Sequence, residues 1–118
     1  MLHKEVVTVT SAADGSGTAT AANSITGFLH QIDYIKVDFA NGVDVTFNVL
    51  NSLVTDAILT VSNMDAAVRV LPRAFPTDLT GTTAAAGYIP LAVAGRPSVT
   101  VASAGDTKTG TFIFWWTD

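Results

Sequence analysis

The sequence predicts an all-β protein, a single-domain β-sandwich or jelly roll of about eight mainly antiparallel strands. Three observations predict it. Val and Thr dominate the chain, and both are β-branched residues that suit a pleated surface. Nine of the ten acids are Asp and only Glu5 is Glu, a bias toward turns and away from helices. Turn signals recur about every ten residues between short apolar runs. At 118 residues the chain reads as one domain over 1–118, large enough to hold a core without staples.

The elements follow in order. His3 to Thr10 reads as the first strand. The turn Asp14-Gly15-Ser16-Gly17 leads to a short strand near Thr18 to Ala22, and Asn23-Ser24 turns the chain again. Ile25 to Phe39 is a long run whose apolar phase changes: Phe28, Ile32 and Tyr34 are even, Ile35, Val37 and Phe39 odd. One strand cannot bury both sets, so a bulge near Asp33-Tyr34 or a change of sheet is required.

Val43, Val45, Phe47 and Val49 then alternate with polar residues. A three-residue loop, Ala40-Asn41-Gly42, would make a hairpin that sets Val37 against Val45 and Ile35 against Phe47. In that register Asp38 and Asp44 would lie opposite each other.

Leu50 to Val61 matches the helical template, but Asn51-Ser52 and Thr55-Asp56 are poor helix material, so a loop and a strand from Ala57 to Val61 is the better reading. Asn63 to Ala66 is a turn, Val68 to Leu71 a short strand, and Pro72 its end. Phe75 to Gly87 reads as a long loop rich in Thr, Ala and Gly. Tyr88 to Val93 has the look of an edge strand because of Pro90. Gly95-Arg96-Pro97 turns into Ser98 to Ala102.

The last strand, Thr111-Phe112-Ile113-Phe114-Trp115-Trp116, is apolar on both faces. Alternation sends Phe112, Phe114 and Trp116 one way, Ile113 and Trp115 the other. Both faces therefore need cover, from loops or from another molecule. Phe112, Ile113, Phe114, Trp115 and Trp116, with Phe75, are the candidate interface residues.

Composition excludes several functions. Charged residues are only 14% and the net charge is −4, so there is no basic stripe for nucleic acid. There is no cysteine, hence no disulfide and no Cys-based metal site. No apolar run approaches the roughly 18 residues of a membrane helix. The N-terminus lacks the apolar run of a signal peptide, which predicts a protein kept in the cytosol unless it leaves inside a larger particle. His3 and His30 are far apart without metal-ligand spacing and read as structural or surface residues. Gly15-Ser16-Gly17 is neither a nucleophile elbow nor a phosphate loop. Asp38 and Asp44 would be at most a two-ligand cation site. No acid–base pair is evident, so neither catalysis nor a cofactor is expected.

The strand Lys4 to Thr10, the Asp14-Gly15-Ser16-Gly17-Thr18-Ala19-Thr20 turn before a long strand, Ile89-Pro90-Leu91, Ser98-Val99-Thr100-Val101 and Lys108 to Ile113 together resemble a group of small virion structural proteins of tailed bacteriophages. The likeness runs over most of the chain, and its elements are β-rich patterns rather than catalytic signatures. It implies a capsid decoration or cement protein, a homo-dimer or homo-trimer that binds the major capsid protein. Such a protein is made in the host cytoplasm and found on the capsid surface of the virion. The alternatives are a neck, tail or fibre-base component, or a small carbohydrate-binding module using Trp115 and Trp116.

Overall fold

Phe47, Phe112 and Phe114 meet at the centre of two packed β-layers. The computed structural model describes residues 1–51, 55–74 and 89–118. Among these the chain is all β, with nine strands: β1 Leu2–Thr10, β2 Gly17–Thr20, β3 Ile25–Lys36, β4 Asp44–Leu50, β5 Thr55–Val61, β6 Val68–Val70, β7 Arg73–Ala74, β8 Ile89–Ala102 and β9 Thr109–Thr117. All pairings between them are antiparallel. The strand order is β1-β9-β3-β8-β4-β5, with β2 and β7 on β8 and β6 on β3.

The first layer holds β1, β9, β3, β6 and the first part of β8. The second holds β2, the rest of β8, β4 and β5. Directly opposed residues share a face, so register identifies the rows that line the core. In the first layer Val7, Phe112, Tyr34 and Val68 form one row, and Glu5, Phe114, Ile32 and Val70 the next. In the second, Ala19, Val99, Phe47 and Leu59 form the facing row. Phe47 stands edge-on to Phe112 at 5.5 Å and to Phe114 at 6.1 Å, while Tyr34 stacks on Phe112 at 5.0 Å. All are buried. Edge-to-face packing suits the ring quadrupoles and adds to the area term.

Three details correct the sequence reading. First, β3 and β4 do not form a hairpin. Residues 37–43 cross from one layer to the other. Ile35 lies opposite Thr111, and Val45 pairs with Val101 and Val61. Phe39 and Val43 are buried on the way. The apolar alternation of β4 is satisfied by two other strands, so the loop signal in Asn41-Gly42 does not dictate its partner.

Second, the bulge in β3 lies between Leu29 and Gln31, not at Asp33-Tyr34. Ile25 and Leu29 are buried before it, Ile32 and Tyr34 after it. His30 is the extra residue that resets the phase. Ile35 and Val37 remain exposed, and Phe39 enters the core from the crossing segment.

Third, Gly95-Arg96-Pro97 is no turn. β8 runs through it and changes layer there, pairing β3 over residues 91–95 and β4 over 96–102. Gly95 has φ +148°, and a Cβ on it would strike the Leu50 carbonyl. Only glycine allows that bend and that close approach. Phe75 and the Thr-rich stretch after it lie outside the described residues.

The two halves of β9 differ in energy. Phe112→Ala should cost about 3–5 kcal/mol. Ile113→Ala should cost about 1 kcal/mol, because its side chain is only half-buried. Urea unfolding of both variants checks this, and equal losses would mean that the two faces of β9 are not distinct.

Candidate binding surface

The outer face of the first layer is fixed by the same register. Lys4, Trp115 and Gln31 form one row across β1, β9 and β3, and Val6, Ile113, Asp33 and Arg69 the next, reaching β6. Thr8, Thr111 and Ile35 follow, and Leu2, Thr117 and Phe28 lie at the opposite end. Four large apolar residues on this face are well exposed: Leu2 56%, Phe28 49%, Val6 46% and Ile35 46%. Ile113 and Trp115 are half-buried between them.

Asp33 is the polar centre of the face. Its Oδ1 accepts from Arg69 Nε at 2.8 Å, and its Oδ2 accepts from Trp115 Nε1 at 3.0 Å and Arg69 Nη2 at 3.4 Å. Gln31 Nε2 donates to Oδ1 at 3.5 Å. Trp115 lies directly opposite Gln31, two residues before Asp33. Its indole therefore leans diagonally across β3 to reach the carboxylate. Further along the face, His30 Nε2 lies 2.7 Å from Thr117 Oγ1. The Arg69 hydrogen bond, more than the Trp115 one, holds the Asp33 carboxyl below its usual range, against the opposing effect of burial. The same contact raises Arg69.

The outer face of the second layer is different in kind. Thr18, Thr100, Thr46 and Thr60 form a row across four strands. Their hydroxyls bond in pairs, Thr18 with Thr100 at 3.1 Å and Thr46 with Thr60 at 3.2 Å. No charge sits in that row.

The candidate interface residues divide accordingly. Phe112 and Phe114 are fully buried and form core, so they are withdrawn as interface residues. Trp116 packs against the core and stacks on His3 at 4.4 Å. Of the candidate residues, Ile113 and Trp115 face outward, and Phe75 lies outside the described residues. Sequence reasoning missed Lys4, Val6, Phe28, Gln31, Asp33, Ile35 and Arg69, because only the pairing of β1, β3 and β6 around β9 brings them together.

Asp38 and Asp44 are not opposed. Asp38 Oδ1 accepts from Thr109 N at 2.6 Å, and Asp44 Oδ1 from Asn63 N at 3.1 Å. Each carboxylate satisfies a different backbone group, Asp38 at the start of β9 and Asp44 in the loop after β5, so the opposed pair expected of the hairpin does not form. Among the described residues no group of three His, Cys, Asp or Glu side chains could hold a metal ion. Gly15-Ser16-Gly17 is a turn closed by Asp14, whose Oδ1 accepts from Ser16 N at 3.0 Å and Ser16 Oγ at 2.7 Å. The Ser16 hydroxyl bond is the main cause of the lowered Asp14 pKa. A shallow concavity of about 390 Å³ at the bend of β8 is lined by Ser24, Leu50, Asn51, Gly95 and Arg96. It brings together no acid–base pair.

No family model matches the chain, and no curated protein does. Among solved structures it is similar to the third family-32 carbohydrate-binding module of a family 31 glycoside hydrolase from Clostridium perfringens. That match has 17% identity and a TM-score of 0.42, and it covers 92% of this chain and 72% of the other.

Asp33 has its charged form favoured in the fold, so its pairing stabilises the protein above the unfolded carboxyl value near 3.8. That contribution is lost as pH falls through the lower folded value. Asp33→Asn should therefore cost about 1 kcal/mol or less at pH 7, as for other partly exposed pairs. The difference from wild type should begin to shrink as pH falls below about 3.8 and be gone only once pH has passed the lower folded value. Denaturation curves of both proteins at pH 7 and at successive steps below the unfolded carboxyl value check it, and a gap that does not narrow with falling pH would assign the loss to something other than the ion pair.

Proposed function

We propose that this chain is a non-enzymatic structural protein of a virus particle, seated on the capsid shell as a decoration or cement protein. The observation that carries the reading is the gathering of Leu2, Val6, Phe28, Ile35, Ile113 and Trp115 on one outer face. A contiguous exposed apolar face marks a contact surface. The sequence resemblance to phage virion proteins supplies the partner, the major capsid protein. The low charge of the chain supports it too, because less charge must be desolvated when a large surface is covered. A modest contact per copy suffices where many copies engage a symmetric shell.

The test is copy number. Quantitative mass spectrometry of purified particles should find the chain in hundreds of copies, in a simple ratio to the shell protein. A dozen copies or fewer would move it to the neck, tail or fibre base, and none would remove it from the virion. Val6→Asp and Ile35→Asp should fold and lose at least tenfold in attachment to particles.

A second reading is favoured by one observation. Trp115 carries polar groups beside its indole, Gln31, Asp33 and Arg69, as a sugar-stacking platform requires. Titration with a broad glycan panel should then change the tryptophan fluorescence of a monomeric protein, whereas an unchanged signal across the panel counts against that reading.

A further inference from the structure

The charges on the first layer's outer face run against those of the chain. Of the residues that register places there, Lys4 and Arg69 are cations and Asp33 is the only acid, on a chain of net charge −4. Asp33 is already answered on both oxygens by Arg69, Trp115 and Gln31. Lys4 has no ion-pair partner among the described residues, and the Arg69 side chain remains 61% exposed. The face is therefore an apolar surface with a net positive charge, and its two cations stand at opposite edges. Lys4 is on β1 and Arg69 on β6, with β9 and β3 between. Three strand spacings and a two-residue offset along the strands put their Cα atoms about 16 Å apart.

We infer that this face takes an apolar protein surface bearing a carboxylate that meets Lys4, and that it does not take a second copy of this chain. The inference rests on the shell-attachment reading and names the chemistry of the partner. Two copies pressed together through this face would confine both Lys4 ammonium groups in one interface with only the two Asp33 carboxylates to answer them. Each of those is already used within its own chain. Like charges facing each other across a contact select against that partner. An acidic partner meets Lys4, and it does so while Leu2, Val6, Phe28, Ile35 and Ile113 are covered. A homo-dimer or homo-trimer of this protein then has to form through another surface, which leaves this one free for the shell.

The experiment uses the full chain and particles stripped of it. Rebinding is measured at 50 and 500 mM salt for wild type, Lys4→Glu and Lys4→Arg, with folding checked by circular dichroism. Lys4 is exposed and carries none of the core, so the variants should fold. The expected result is a tenfold or greater loss for Lys4→Glu at low salt, a smaller gap at high salt, and wild-type behaviour for Lys4→Arg. Sedimentation of the free protein should be unchanged by Val6→Asp. Rebinding of Lys4→Glu that matches wild type at both salts would overturn the inference and leave shell attachment standing. So would a free wild-type oligomer that Val6→Asp dissociates. Wild type that fails to rebind at any salt would overturn both.

Discussion

The structure depends on the contact between Phe47 and the Phe112–Phe114 pair. Phe47 belongs to the second layer and the other two to the first, and the rings interlock edge to face across the interlayer space. A sheet buries one face only if something covers it. Here the cover for each layer is the other, and the aromatic residues fill the middle of both. With Phe112 and Phe114 committed to the core, alternation forces Ile113 and Trp115 outward. The exposed apolar face is thus a consequence of the core, produced by the same strand that supplies its largest side chains.

Two backbone devices decide what accompanies Ile113 and Trp115 on that face. The bulge at Leu29–Gln31 rotates the second half of β3 by one residue. Without it Asp33 and Ile35 would point inward, and Ile32 and Tyr34 outward. The bend of β8 at Gly95 lets one strand serve both layers, which joins them by backbone hydrogen bonds on one side as well as by side-chain packing. Gly110 has a related task. The Phe39 ring lies where its Cβ would be, so the crossing segment can lay an aromatic side chain over β9 and close that end of the core.

The fold class was legible in the sequence because it depends on local quantities: β-branched residues, Asp-rich turns and the spacing of breaks. So was the division of β9 into two faces, which needs only a period of two. Partner choice was not legible. β4 alternates cleanly, yet its neighbours are β5 and β8, and nothing in Asn41-Gly42 distinguishes a tight hairpin from a crossing between layers. The bulge was expected from the phase change in β3 but misplaced, since Phe28 looks like a core residue and is in fact half-exposed. The binding surface was half legible. Ile113 and Trp115 follow from alternation, while Asp33 and Arg69, 36 residues apart in the chain, meet only through the pairing of β3 with β6.

The composition of the face follows from a conflict between solubility and attachment. Leu2, Val6, Phe28 and Ile35 exposed together would promote self-association if nothing opposed it. Among the described residues the β1 strand lies at the edge of the sheet, where unpaired backbone groups add to the hazard. Lys4 sits on that strand, at the edge of the apolar face between Leu2 and Val6, and charges so placed are a common guard against edge pairing. Asp33 and Arg69 act differently. Their charges largely cancel, yet the carboxylate holds the indole of Trp115 across β3 through its Nε1 and so positions a large apolar ring before any partner arrives. A side chain already held in place loses less freedom on binding. The ion pair thus contributes little to global stability and more to the shape of the face, while the unpaired Lys4 decides which surfaces that shape accepts.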